Sequence, residues 1–201
     1  MIKGEKMKKW VNLLALCGIM GLTSGCAVVA VGAVGAAAAG GTAVATDPRG
    51  GGGVVDDSKI QMKLSGKYGN TDDFPNSNIY VDVFKGNVLL TGQVKDQAQK
   101  DFAENVAKGY PGVVKLYDYL SIRLPSSFSA RSTDSMITTQ LKTQLLATSG
   151  VPSNNIKVET TETVVYMMGE LTQAQGESAA AVAAKVGGVS KVITLFTYTD
   201  K

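Results

Sequence analysis

The sequence predicts an α+β fold built twice, and three observations carry that prediction. Displaced by 77 positions against itself, the chain matches Asp57 with Asp134, Ile60 with Ile137, Leu64 with Leu141, Pro75 with Pro152, Val81 with Val158, Gly92 with Gly169 and Ala103 with Ala180. After a one-residue slip near Tyr110, Gly112 matches Gly188 and Lys115 matches Lys191. Each copy also reads helix, strand, strand, helix, strand, and each places a glycine at the same point of its second strand.

The elements follow from local periodicity. In the first copy, residues 56–67 carry helical spacing at Ile60 and Leu64, 79–84 alternate as a strand, Lys85-Gly86-Asn87 is a turn, and 88–94 form a second strand. Residues 96–108 read as a helix with Ala98, Phe102 and Ala103 inward, and 113–124 as a closing strand. The second copy repeats this as 133–147, 156–160, 164–171, 173–186 and 189–199. Two helices then cover one face of a three-stranded sheet, and units of about 70 residues are small enough to gain from packing on each other. Glu162-Thr163 stands where the first copy has Lys85-Gly86, so a wider turn is expected there.

Ahead of the repeats, Lys8 and Lys9 precede an apolar run too short to span a membrane, and Leu22-Thr23-Ser24-Gly25-Cys26 resembles a lipobox. Residues 1–25 are therefore read as a lipoprotein signal peptide starting at Met1 or Met7, with Cys26 as the acylated residue. An ordinary signal with a coincidental cysteine is the alternative. Residues 26–53, mostly Ala, Val and Gly, bury too little area to repay ordering entropy and are read as a lipidated tether; a weakly hydrophobic span is the alternative. The domains are then 54–124 and 132–201, joined by a linker at 125–131.

Composition excludes several functions. Residues 1–25 hold Lys3, Lys6, Lys8 and Lys9 against Glu5 alone, so the remaining chain has 16 basic and 16 acidic residues, and no nucleic-acid partner is expected. The chain has no histidine, and its second cysteine, Cys17, lies inside the signal. A Ser-His-Asp or Cys-His centre, a His/Cys zinc site and an internal disulfide are excluded. No phosphate-binding glycine loop appears, so no enzyme activity, cofactor or small-molecule substrate is expected.

Leu90-Thr91-Gly92 and Met167-Met168-Gly169, with Gly112-Val113 and Gly188-Val189 opening the last strands, resemble the BON domain of bacterial envelope and osmotic-stress proteins. The lipobox, the Ala/Val/Gly tract, Ala45-Thr46-Asp47-Pro48-Arg49, Val55-Asp56-Asp57 and Ile137-Thr138-Thr139 make the whole layout similar to outer-membrane lipoproteins with two BON domains. The resemblance implies a lipid anchor in the outer membrane facing the periplasm, and binding of anionic phospholipid through the first helix of the second domain. It further implies enrichment at division sites and support of envelope integrity.

The residues of that helix support a contact surface on their own terms. With Ile137, Leu141 and Leu145 as the buried stripe, Met136, Thr139, Gln140, Thr143, Leu146 and Ala147 turn outward with Lys142 at the edge, a candidate lipid-binding face. The first copy has Lys59, Gly66 and Gly69 at the positions of Met136, Thr143 and Leu146. Packing of Met136 and Leu146 against the first domain or residues 126–130 is the alternative. So is docking of a protein such as an outer-membrane assembly machine or a cell-wall hydrolase regulator. Met136 stands where the family resemblance implies an aromatic wedge, which predicts weaker binding. With acyl chains already securing attachment, the face reads as a weak sensor of the leaflet rather than a holdfast.

Overall fold

The computed structural model describes residues 50–200, with side chains from residue 56 onward. The signal, Cys26 and the tether up to residue 49 lie outside the described residues.

Each copy folds as expected. In the first, α1 (Gly50–Tyr68) is followed by β1 (Asn78–Phe84), β2 (Asn87–Val94), α2 (Gln97–Lys108) and β3 (Lys115–Ile122). In the second, α3 (Phe128–Ala147), β4 (Ile156–Thr161), β5 (Val164–Leu171), α4 (Gln173–Ala183) and β6 (Lys191–Tyr198) repeat the order. Each sheet is mixed: β1 runs antiparallel to β2, which runs parallel to β3, and β4, β5 and β6 do the same.

Two helix starts differ most from the sequence reading. α1 begins at Gly50, so the four glycines assigned to the tether are helical despite their low propensity. α3 begins at Phe128, five residues before the helix expected at 133. Ser127 stands at its N-cap with its hydroxyl accepting from the Ala130 N–H at 3.2 Å, which shortens the linker.

The inner stripe of α2 also differs. Gln99, Ala103 and Ala107 are buried, whereas Ala98 and Phe102 turn outward, Phe102 stacking on Phe74 at 5.3 Å. Gln99 is buried because it completes the helix start. Its N–H donates to the Asp96 carboxylate, and its side-chain oxygen accepts from the Lys95 N–H at 2.9 Å. At the matching start of α4, Thr172 and Gln175 build a capping box in which the Gln175 side-chain oxygen accepts from the Thr172 N–H, and Ala179 and Ala183 are buried. Ala103 therefore corresponds to Ala179, not Ala180: the slip between copies falls at Lys95, before the helix, not near Tyr110.

The glycine signature has a steric cause. A Cβ on Gly92 would lie 1.9 Å from the Asn78 carbonyl oxygen, and one on Gly169 would lie 2.4 Å from that of Asn155, so only glycine lets the first strand start so close.

The expected wide turn at Glu162-Thr163 is not found. Phe84 pairs with Asn87 and Thr161 with Val164, so both hairpins turn in two residues. All four turn residues have positive φ: Lys85 and Gly86 in the first, Glu162 and Thr163 in the second. A buried aspartate on the preceding helix holds each turn. Asp57 accepts from the N–H groups of Lys85 and Gly86 at 2.7 and 2.8 Å; Asp134 accepts from those of Glu162 and Thr163 at 3.0 and 2.9 Å.

Packing of the two copies joins the sheets back to back. On β2, Val88, Leu90 and Val94 face the helices of their own domain; Leu89 faces the other sheet and clusters with Phe84, Tyr166 and Met168. Tyr117, Val164, Ile193 and Leu195 extend this seam. Thr161 donates to Thr91 at 3.0 Å across it, and Arg123 with Glu162 and Lys85 with Glu170 form ion pairs at its edges. The layers run helices, sheet, sheet, helices, which leaves the outer faces of α1 and α3 open to solvent.

Candidate functional site

α3 is the element that carries the candidate face. Its 20 residues bury Ile137, Leu141 and Leu145 against the sheet of the second domain, as the spacing predicts. The remaining surface follows from helical geometry. Met136 is 66% exposed and Leu146 69% exposed, so neither packs against the first domain or the linker. Thr139, Gln140, Lys142, Thr143 and Ala147 are exposed as well. All seven residues of the candidate face therefore lie on the accessible side of one helix.

Two properties make this face unusual for solvated protein. First, its hydroxyls are already satisfied. Thr139 donates to the Ser135 carbonyl and Thr143 to the Thr139 carbonyl, each at 2.9 Å, so these threonines present methyl groups and lose little when water leaves. Second, its charge has one sign. The helix has a single carboxylate, Asp134, which is buried and engaged by the β4–β5 turn, leaving Arg131 and Lys142 as its charged groups toward solvent.

Lys142 stands beside a small cavity of about 170 Å³ lined by Leu145, Leu146, Ser153, Asn154 and Ile156. A shallower hollow of about 350 Å³ runs along Ser132, Ser135, Met136, Thr139 and Gln140. The corresponding helix of the first domain differs. α1 exposes Met62, but Lys59 pairs with Asp56 at 3.7 Å and Lys67 with Asp73 at 2.6 Å, an ordinary ion-paired surface.

The sequence reading missed Phe128. On the sequence alone it falls in the linker, yet it opens α3 and is 79% exposed. The available signal was Ser127, a good N-cap, but the position three residues on is Ala130 rather than a Glu or Gln that would complete a capping box.

A family model described as the BON domain matches residues 56–123 and again 133–200, the two folded units. The chain belongs to the BON family. It is 35% identical over 190 residues to the outer membrane lipoprotein DolP of Haemophilus influenzae, covering 94% of this chain and 96% of that one. It is also 37% identical over 144 residues to osmotically-inducible protein Y of Escherichia coli, covering 70% and 72%. A 21 kDa hemolysin of Actinobacillus pleuropneumoniae is 35% identical over 157 residues, covering 77% and 80%. The near end-to-end match with an outer membrane lipoprotein places this BON protein at the outer membrane, lipid-anchored and facing the periplasm. Among the described residues no helix is long and apolar enough to cross a membrane.

Proposed function

We propose that this BON protein is a non-enzymatic outer-membrane lipoprotein that touches anionic phospholipid through the outer face of α3. Cys26 carries the acyl anchor in this reading. The observation that bears the most weight is the pairing of exposed Met136 and Leu146 with a helix surface that shows solvent cations but no free carboxylate. Apolar groups of this kind enter the acyl boundary while Lys142 meets a lipid phosphate. Support of envelope integrity and enrichment at division sites would follow from where such a contact holds the protein, as the family resemblance implies.

The test is flotation of the mature chain with Cys26→Ser, which removes the anchor, on vesicles rich in phosphatidylglycerol. Met136→Glu and Leu146→Glu should each lower vesicle affinity about tenfold or more, since each removes one buried apolar side chain and adds repulsion. Binding unchanged in both variants would remove the face from consideration. Loss of a stoichiometric envelope protein from pulldowns of both variants, with vesicle binding absent in the parent, would turn the reading to protein docking.

A further inference from the structure

We propose that Phe128 is the aromatic membrane anchor of this chain, so that the lipid-facing surface runs the whole length of α3 from Phe128 through Met136 to Leu146. The inference rests on the lipid reading of α3 and adds a residue that lies outside the face drawn from the sequence.

Helical geometry places Phe128 on that face. Phe128 and Leu146 are 18 residues apart, five full turns, so they project in the same direction at a separation of about 27 Å. Met136 lies between them, turned by about 80°, and the direction opposite the buried stripe falls inside this arc. The three large apolar side chains exposed on α3 thus share one side of the helix and none is covered by protein. Between them stand Ser132, Ser135, Thr139 and Thr143, and three of these hydroxyls donate to backbone carbonyls one turn back: Ser135 to Arg131 at 3.0 Å, Thr139 and Thr143 as above.

Charge selects the occupant. Arg131 and Lys142 are 11 residues apart, three turns, and so line a single edge of the arc at about 16 Å spacing. The guanidinium of Arg131 donates to the Ser126 carbonyl at 2.7 Å, which fixes it at the start of the helix. A row of apolar side chains flanked by two cations fits a helix lying parallel to an anionic lipid surface, apolar groups in the acyl boundary and cations at phosphate level. The protein is held at such a surface by its anchor. Phe128 also supplies an aromatic ring eight residues, about 12 Å, before Met136, the residue type that settles at the interface of a lipid surface.

The chain has one tryptophan, Trp10, inside the signal, so the mature chain with Cys26→Ser has none and accepts a single reporter. Phe128→Trp and, separately, Met136→Trp are titrated with phosphatidylglycerol vesicles, with and without bromine on the acyl chains. Both emissions should shift to the blue and be quenched by bromine, and Phe128→Ser should lower vesicle affinity about tenfold without moving the thermal midpoint. An unshifted emission at position 128 with a shifted one at 136, or parental affinity in Phe128→Ser, overturns the inference and leaves the lipid reading standing. Unshifted emission at both positions overturns both.

Discussion

Asp134→Ala is expected to destabilise the second domain by about 3 kcal/mol or more, read as a lower urea midpoint and as early loss of the far-ultraviolet signal of β4 and β5. The side chain is buried and accepts both N–H groups of a turn that contains no glycine. Removing it leaves two donors without a charged acceptor, each worth about 1–3 kcal/mol. Relaxation of the turn offsets part of this loss, because Glu162 at φ 53° and the β-branched Thr163 at φ 62° occupy a region that non-glycine residues enter at a cost of about 1–3 kcal/mol. Asp57→Ala serves as the internal comparison. Both turn N–H groups lose their acceptor there too, but Gly86 takes its φ of 72° freely, so there is less strain to release and the cost should be at least as large. Thr163→Gly in the Asp134→Ala background should restore about 1 kcal/mol, less what is lost with the Thr163–Ser190 hydrogen bond. Wild-type stability in Asp134→Ala would show that the turn holds its shape without the latch.

The latch also marks the limit of what the sequence discloses. The match of Asp57 with Asp134 is visible in the repeat, but pairing an aspartate on a helix with a turn 28 residues later needs the tertiary fold. Without it, Glu162-Thr163 reads as a turn that must widen. The core is more legible, because Ile137, Leu141 and Leu145 repeat at helical spacing and nothing competes with that signal. The seam between sheets left a fainter trace. Val88-Leu89-Leu90 and Val164 to Met168 are apolar without alternation, which is how strands covered on both faces read. Of the candidate site, the seven outward positions follow from the wheel alone. Phe128 does not, because a helix start is set by capping and entry geometry, and Ser126-Ser127 resembles a loop as readily as a cap.

Glu159→Gln is expected to raise stability by about 2 kcal/mol at pH 8 and to leave it nearly unchanged near pH 4.5. Glu159 on β4 and Asp82 on β1 are equivalent residues of the two copies, 77 positions apart, and both turn toward the seam where the strands approach. Burial, and then the charge of Asp82, push the Glu159 carboxyl from its ordinary 4.5 up to about 7; a hydrogen bond from Thr161 and the charge of Lys142 oppose them, while Asp134 adds slightly to the rise. Burial also raises Asp82, against Lys157 and Lys142. The sign follows directly. A folded state that holds a proton which the unfolded chain releases is favoured at low pH, so stability from this pair falls as pH rises from about 4.5 to about 7 and stays low above it. Thermal midpoints from pH 4.5 to 8 should therefore slope downward in the parent and flatten in Glu159→Gln; parallel curves would show that the seam does not hold the proton. Lys142 ties this pair to the lipid face. Its cation stabilises the charged form of both carboxyls, so Lys142→Gln should steepen the parental slope, and should do so less where Glu159 is already glutamine.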